Sequence, residues 1–447
     1  MDKGSQLAEG SQSAKGSIAV IGAGIVGICT ALELQRVGYQ VTLIDKGPPA
    51  DETSKGNASF IAVEAMEPQA TPHNIISAIK LAFHENGAFK VTPDNFLGFI
   101  PWGMSFLKES VKSRRDISRK STQRLHKYTV AAWTDLLERT GNSEMMYNCG
   151  YLKVWEKESA LESIKKHQTE MQGYGFECEV ISGDAIFEKE PALSRNIKHA
   201  LFFPNTLQLL EPHQTSLKLF DYFIQQGGEF KQQGVQKISL PEQGVNIDTG
   251  SGSGLNSEQY HFDKAVVCAG VWSTKLCAEL SDDSGDNCSL KIPLVPERGY
   301  HLTYPDSPVK FKHLIKSEDR HLVLTPLSTG MRVTGFGEFS KMMSLPVKKR
   351  SKQLNKHMDA LIQDMNVQQQ EPTTWMGRRP TTPDSLPVID LHPQHPQLGM
   401  VFGHQHLGLT QSPISAKLIT AMFEGDKTNK TLVDFDDVLE TFAVDRF

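Results

Sequence analysis

The feature that most constrains the fold is the stretch SIAVIGAGIVGICTALELQRVGYQVTLID, residues 17–45. Residues 18–22 form a short apolar run that ends at glycine, a pattern typical of a strand buried on both faces of a parallel sheet. Apolar residues then recur with helical spacing until Gly38, which is well suited to end a helix. Residues 40–44 predict a second strand, with Asp45 at its end. This order predicts a βαβ unit of an α/β fold.

Three glycines stand between the first strand and the helix in the spacing GxGxxG. Gly22 permits the tight turn, Gly24 lets the backbone approach a pyrophosphate, and Gly27 lets the helix pack closely on the strand. The phosphates would lie at the helix N-terminus, where free N–H groups favour negative charge. Asp45 stands where an acid binds a ribose 2′-hydroxyl and disfavours the 2′-phosphate of NADP. The stretch therefore predicts a dinucleotide site, with a glycine-rich packing turn as the structural alternative, and by itself it does not separate NAD from FAD.

The same apolar run also invites comparison with a secretion signal, because Lys3 and Lys15 precede it. The polar Ser/Gly-rich leader is long for a signal, no small-residue cleavage site follows, and the run continues into Glu33 and a helical pattern. Nowhere does the sequence approach the roughly 20 unbroken apolar residues of a membrane-spanning helix. We therefore expect a soluble, cytoplasmic protein.

Length and composition narrow the class of protein. A chain of 447 residues exceeds what one hydrophobic core normally fills, so two domains are expected. A net charge of −5 argues against a nucleic-acid partner. The six cysteines form no CxxC pairs, which predicts buried thiols. His404 and His406 stand two residues apart on a glycine-flanked segment, a weak metal signal, and we expect no metal site.

Four later segments bear on the choice between NAD and FAD. Residues 47–62, GPPADETSKGNASFIA, are rich in small polar residues that suit close approach to a phosphate, and residues 265–270 predict another strand followed by Ala-Gly. The adjacent arginines of residues 377–387, GRRPTTPDSLP, stand among prolines, which predicts a rigid loop that fixes a guanidinium for carboxylate binding. Residues 398–423 predict a second strand–glycine–helix unit, whose helix N-terminus would stabilise an electron-rich flavin ring.

Taken together, these segments resemble the FAD-dependent D-amino-acid oxidase and dehydrogenase family, above all its bacterial D-amino-acid dehydrogenases. The shared motifs are GAGIVG with Asp45, ETSxxNA at 52–58, GxRPxTPDxxP at 377–387 and GHxxLGxT at 403–410, and the similarity spans about residues 17–425. The resemblance implies an α/β protein whose Rossmann-like FAD-binding domain is discontinuous, comprising 17–105, 205–290 and 372–447. It also implies an α+β substrate domain built on an antiparallel sheet, comprising 106–204 and 291–371.

Functional positions are implied by the same resemblance. Those matching FAD contacts are Gly22, Ala23, Gly24, Ile25, Val26, Gly27, Asp45, Lys46, Thr53, Ser54, Asn57, Ala58, Val235, Ala269, Gly270, Trp272, Gly408, Leu409 and Thr410. Arg379 matches the arginine that binds the substrate carboxylate, with a structural salt bridge as the alternative, whereas Arg378 occupies a variable position. Tyr300 would contact substrate from the second domain or be an ordinary strand residue, and His404 would line the pocket. His406 departs from the family pattern and is a candidate specificity residue.

The activity implied is hydride transfer from the substrate Cα to flavin N5, followed by hydrolysis of the imino acid. The expected substrate is a D-amino acid, for example a cyclic imino acid such as D-proline or hydroxy-D-proline. Two alternatives stay open: a glycine- or sarcosine-type amine oxidase, and a flavin-binding subunit without turnover of its own. The electron acceptor is oxygen, a quinone or an electron-transfer protein. The basic stretch KESVKSRRDISRK, residues 108–120, predicts either a solvated helix face or a surface for peripheral contact with the inner face of a membrane or with an acidic partner.

Overall fold

The computed structural model describes residues 15–72, 74–76, 89–250, 257–282, 288–363, 371–425 and 428–447. The strands are β1 (Ser17–Ile21), β2 (Gln40–Asp45), β3 (Phe60–Ile61), β4 (Phe89–Val91), β5 (Met146–Asn148), β6 (Tyr151–Trp155), β7 (Glu179–Ser182), β8 (His199–Phe203), β9 (Leu207–Leu209), β10 (Glu229–Gln232), β11 (Gly234–Leu240), β12 (Val245–Gly250), β13 (Glu258–Phe262), β14 (Lys264–Val267), β15 (Ser281–Asp282), β16 (Val295–Pro305), β17 (Leu314–Ser317), β18 (Leu322–Leu327), β19 (Gly330–Phe339), β20 (Thr373–Thr381), β21 (Val388–Leu391) and β22 (Leu398–Phe402).

The helices lie between groups of these strands and at the C-terminal end of the described chain. They are α1 (Ile25–Arg36), α2 (Phe96–Glu109), α3 (Lys112–Arg139), α4 (Leu161–Gly173), α5 (Asp184–Lys189), α6 (Pro212–Gln225), α7 (Ser273–Ala278), α8 (Lys348–Asp359), α9 (Gly408–Glu424) and α10 (Lys430–Phe435). In the described part of the chain, no helix is long and apolar enough to cross a membrane.

The first sheet has the strand order β10-β2-β1-β14-β22-β21. Its strands are parallel except β21, which runs antiparallel to β22. The chain moves outward from β1 to β2 and β10 on one side and later returns to add β14 on the other. The boundary between β1 and β14 is therefore a topological switch point, and open parallel sheets bind ligands beyond the carboxyl ends of the strands at such a point. The α/β fold predicted from residues 17–45 is confirmed.

The second sheet has the order β20-β16-β19-β18-β17-β6-β8-β7, and β4 pairs with β19 beside this path. Most neighbours are antiparallel, as expected, but β17 pairs with β6 and β19 with β4 in parallel. Two strands cross the sequence-based domain boundaries, because β4 and β20 lie in segments assigned to the FAD-binding domain. Strand β4 pairs with β19, and β20 pairs with β16, so both belong to the second sheet.

The core of the first sheet extends further than the predicted boundaries. Helix α3, which the sequence placed in the substrate domain, packs into the same buried cluster as α1 and α9. Its Trp133 is fully buried, and Trp133 Nε1 donates to Leu409 O at 3.0 Å. The 28 residues of α3 therefore support the N-terminal end of α9 from behind.

Candidate active site

The glycines of the GxGxxG loop have different surroundings. At Gly22, where φ is +109°, a Cβ atom would lie 2.5 Å from Cys268 O, and at Gly27 it would lie 1.8 Å from Gly22 O. Both glycines are required by the packing of loop, helix and strand. At Gly24 a Cβ would meet only Ser54 Oγ, at 3.3 Å. Protein packing thus leaves the approach to Gly24 open, which fits a glycine reserved for close contact with a pyrophosphate.

Side chains around the loop fix its backbone. Asp45 accepts from Ala23 N at 2.7 Å and from Gly47 N at 2.9 Å, one bond to each carboxylate oxygen. Burial raises the pKa of Asp45, and these two backbone N–H groups lower it. Ile25 N, at the start of α1, donates to Ser54 Oγ at 3.0 Å. Each oxygen of Asp45 keeps a lone pair for a ribose hydroxyl.

The other positions predicted to contact FAD surround the same edge of the first sheet. The Lys46 ammonium lies 4.0 Å from the centre of the Trp272 ring. Gly270 has φ +56° and open space where a Cβ would be. Segment 53–58 connects the two sheets, because Arg332 Nη1 of β19 donates to Asn57 O at 2.7 Å. The residues present therefore fit an extended dinucleotide between the loop and the second sheet.

The N-terminus of α9 lies next to the segment that follows β3. No side chain caps it at Leu407. Thr410 Oγ1 accepts from Ala62 N at 3.1 Å, which ties the helix to the segment after β3. An uncapped helix N-terminus favours negative charge, so Gly408, Leu409 and Thr410 fit the electron-rich end of a flavin. Residues 22–27, 45–46, 53–58, 269–272 and 408–410 would hold the cofactor.

Arg379 lies on β20 opposite Glu297 of β16. Arg379 Nη1 donates to Glu297 Oε1 at 2.9 Å and to Phe336 O at 3.3 Å. The guanidinium lies against Gly299, where a Cβ would approach Nη2 to 2.4 Å. Among the described residues, the protein hydrogen bonds of Arg379 all use Nη1. Within the described part of the chain, Nε and Nη2 of Arg379 make no hydrogen bond to protein, and two parallel N–H groups of this kind are the arrangement that binds a carboxylate.

His406 lies in the same region as Arg379. Its Nδ1 is 2.9 Å from Gln69 Nε2, and Arg379, Lys316 and His126 act on it electrostatically. The His406 side chain is exposed to solvent at its surface. Desolvation of the ring by the surrounding protein, reinforced by the charges of Arg379 and Lys316, lowers the pKa of His406. His406 is therefore a neutral side chain near Arg379.

His404, predicted to line the pocket, is placed elsewhere. The ring is buried, and His404 Nε2 lies 3.0 Å from Ser415 Oγ within α9. Burial lowers the pKa of His404 to about 3. Its imidazole fixes the loop against α9. His406, the candidate specificity residue, is the histidine of the GHQH segment that lies near Arg379.

Tyr300, predicted to contact substrate, lies on the opposite face of the second sheet from Arg379. Successive residues of a strand point to opposite faces, and Arg379 shares a face with its partner Glu297, not with Tyr300. Tyr300 is buried, and its hydroxyl donates to Glu338 Oε1 at 3.0 Å. Arg378 also differs from Arg379, since its Nε donates to Met342 O at 2.8 Å. Tyr300 therefore belongs to a buried polar network on the face of the sheet that does not carry Arg379.

A charged cluster near His406 was missed from the sequence. Lys316 of β17 lies next to Lys153 of the parallel strand β6, and their ammonium groups are 2.9 and 3.4 Å from Glu318 Oε1. Glu64, four residues after the start of β3, faces both lysines. Burial raises the pKa of Glu64 to about 7, against the effect of the lysines. No local motif signals this cluster, because it depends on pairing between strands 160 residues apart.

Comparison of the sequence with known protein families identifies the class of protein. Residues 17–422 match the DAO family, FAD dependent oxidoreductase, so the chain belongs to this family. Its cofactor is FAD, which confirms the prediction from the glycine loop and the C-terminal segments. The chain is therefore an oxidoreductase, and the alternative of a flavin-binding scaffold without turnover is set aside.

Named relatives cover nearly the whole chain. A D-amino acid dehydrogenase of Rhizobium johnstonii is 26% identical over 414 residues, which cover 91% of this chain and 96% of that protein. A D-amino-acid oxidase of Bradyrhizobium diazoefficiens is 24% identical over 426 residues, covering 94% of this chain and 97% of that protein. Among solved structures, glycine oxidase from Geobacillus kaustophilus has a TM-score of 0.72 at 19% identity and covers 97% of this chain and 99% of its own. That structural likeness concerns the fold.

Proposed function

We propose that the chain oxidises a D-amino acid, with Arg379 binding the substrate carboxylate. The observation that carries the proposal is the Nε–Nη2 edge of Arg379, which is left for a ligand while Nη1 is held by Glu297 and Phe336 O. The names of the two relatives given above support an amino-acid donor. Bound FAD supplies the hydride acceptor for the substrate Cα, and the protein orients the substrate against it.

The chain's own groups divide the remaining work. Arg379 fixes the carboxylate by a charge-assisted pair, and His406 adds a neutral polar side chain near it. Glu64 lies near Lys316, which also acts electrostatically on His406, and it has a pKa near neutrality, so as a carboxylate it would accept the proton that the substrate ammonium must lose before hydride leaves Cα. Lys316 and Glu318 keep the local charge balanced around that proton transfer.

Within this class, a cyclic imino acid such as D-proline or hydroxy-D-proline is the substrate to test first. His406 departs from the family pattern and lies near Arg379, so we take it as the residue that selects a compact side chain joined back to the nitrogen. The electron acceptor would be oxygen, a quinone or an electron-transfer protein.

Anaerobic bleaching of the purified yellow protein tests the proposal. D-proline is expected to bleach the flavin, and L-proline and sarcosine are not. Bleaching by other D-amino acids but not D-proline would keep the D-amino-acid activity and reject the cyclic substrate. If sarcosine or glycine alone bleaches the flavin, the chain is a glycine- or sarcosine-type oxidase. A flavin that no amine reduces would refute the proposed function altogether.

A further inference from the structure

An apolar stripe runs along the outside of α2 and into the turn after it. Its members recur at spacings of three and four residues, so they lie on one side of the helix. Each is exposed to solvent, and Leu97 is 80% exposed. We define the apolar stripe as Phe96, Leu97, Ile100, Met104, Leu107 and Val111. Contiguous exposed apolar surface of this kind marks a contact with a partner or a membrane.

The opposite side of α2 is fixed to the second sheet. Trp102 is buried, and its Nε1 donates to Thr381 O of β20 at 3.2 Å. Its ring stacks on the Phe106 ring, with 4.9 Å between the ring centres, and packs against the Phe339 ring, with 5.3 Å between the ring centres. With this side committed to the protein, the apolar stripe faces outward in the folded molecule.

The loop between β19 and α8 adds apolar surface next to the start of α2. Met343 and Leu345 are exposed there, Leu345 to 82%. Between them, Ser344 Oγ donates to Asp94 Oδ2 at 3.2 Å, which places the loop two residues before α2. The loop and the apolar stripe therefore border one another.

Positive charge flanks this apolar surface at both ends. Residues 108–120 contain six basic and two acidic side chains, a net charge of +4 in a chain whose net charge is −5. Both acids of this stretch pair with arginines of the same stretch. Lys112 and Arg114 are exposed beyond the end of the apolar stripe, and Lys348 and Lys349 are exposed beside the loop.

This combination points to an anionic lipid surface. Apolar side chains on one face of a helix, with lysine and arginine around them, are the features of helices that lie in the bilayer interface. Basic residues near such a surface are attracted by acidic headgroups. A second copy of the chain would bring the same positive charges into contact, which opposes self-association.

We propose that α2 and the loop at 341–347 dock on the face of a bilayer that contains acidic lipids. The apolar stripe enters the boundary between headgroups and acyl chains, and Lys112, Arg114, Lys348 and Lys349 meet the lipid phosphates. The proposal is independent of which amino acid the enzyme oxidises.

Vesicle co-sedimentation of the full-length holoenzyme tests the docking. The probes are vesicles of phosphatidylcholine alone and of phosphatidylcholine mixed with phosphatidylglycerol, at low and high salt. We expect binding to the mixed vesicles, and weaker binding at high salt and to phosphatidylcholine alone. Leu97→Glu combined with Ile100→Glu should lower the partition coefficient by about tenfold or more. Lys112→Gln combined with Arg114→Gln should weaken binding by about fivefold per residue, the factor corresponding to about 1 kcal/mol each.

Matched controls separate docking from general surface changes. Val433→Glu changes an exposed apolar residue on α10, and Lys165→Gln with Lys166→Gln removes two charges from α4. These variants should bind vesicles as the wild type does. All variants should keep flavin content and activity with a soluble dye acceptor, and Leu97→Gln replaces the double glutamate variant if that one fails to fold.

Two results would overturn the proposal. One is vesicle binding that the substitutions in the apolar stripe leave unchanged, or no vesicle binding at all. The other is a solution dimer that Leu97→Glu dissociates, which would assign the apolar stripe to contact between two copies of the chain. Sedimentation velocity without lipid distinguishes this second result.

Discussion

Arg379 and Glu297 lie opposite each other on neighbouring strands, and Arg379 Nη1 donates to Glu297 Oε1 at 2.9 Å. Thr381 Oγ1 donates to the other oxygen of Glu297 at 3.1 Å, so the carboxylate is itself fixed. The salt bridge and the carboxylate-binding role, which the sequence offered as alternatives for Arg379, are thus compatible. One edge of the guanidinium is held by Glu297 so that the other is presented in a fixed direction.

Replacing this arginine should affect substrate binding more than cofactor binding. Arg379→Ala is expected to keep FAD but to raise KM by roughly 10- to 100-fold, because a charge-assisted pair contributes about 1.5–3 kcal/mol. Arg378→Ala is the matched control, since its side chain bonds Met342 O on the other face of β20. Steady-state kinetics and flavin absorbance measure both. An Arg379→Ala enzyme with a normal KM would remove Arg379 from its proposed role.

Gly299 offers a test that leaves both charges in place. In Gly299→Ala the new methyl group would lie 2.4 Å from Arg379 Nη2, so the guanidinium must move away. We expect KM to rise by about tenfold to a hundredfold, since small displacements of positioning groups cost this much. Gly173→Ala is the control, because its new methyl group would have no other atom within 4 Å, and it should behave as wild type. Unchanged KM in Gly299→Ala would mean that substrate does not depend on this orientation.

The two kinds of glycine in the GxGxxG loop should respond differently to alanine. Gly24→Ala meets only Ser54 Oγ, so the protein should fold but bind FAD about tenfold more weakly or worse, a loss of about 1.4 kcal/mol. Gly27→Ala would place a methyl 1.8 Å from Gly22 O and should impair folding itself. Circular dichroism and flavin titration separate the effects. Full FAD affinity in Gly24→Ala would argue against pyrophosphate contact there.

The pKa of Glu64 predicts how the reaction rate should depend on pH. Burial raises its pKa to about 7, so the side chain is neutral below this pH and is a carboxylate above it. Because the proposed role is to accept a proton, kcat/KM should rise as pH increases through about 7. Glu64→Gln should remove this step and lower kcat/KM on the alkaline side. Glu67→Gln, an exposed neighbour, is the control that should keep the step. A step that persists in Glu64→Gln would belong to another group.

The parts of the fold that depend on adjacent residues could be predicted from the sequence. Helix α1 begins at Ile25, within the glycine loop, and ends at Arg36, just before Gly38. Strand β2 ends at Asp45, as the pattern of residues 17–45 indicates. The glycine loop, its acid and the cofactor class follow from this one stretch and the motifs that accompany it. Such local patterns carry their structure within a few turns of chain.

Features that depend on strand pairing could not be predicted. Tyr300 lies in a strand, which was the alternative to a substrate contact, and the face it points to depends on its partners and on a bulge near Arg298 in the pairing with β19. The proximity of Glu64 to Lys316 likewise requires the parallel pairing of β17 with β6. His406 was identified only as a departure from a pattern, and its place beside Arg379 became apparent from the packing of the loop.

The strand order has a consequence for how the molecule comes apart. The chain contributes to the first sheet at 17–45, 229–232, 264–267 and 388–402, and to the second at 89–91, 151–203, 295–339 and 373–381. Neither half is a continuous piece of polypeptide, so a protease that cuts a connecting loop leaves both fragments interleaved in the same two sheets. Nicked protein should therefore run as two bands on a denaturing gel yet elute as one yellow species under native conditions.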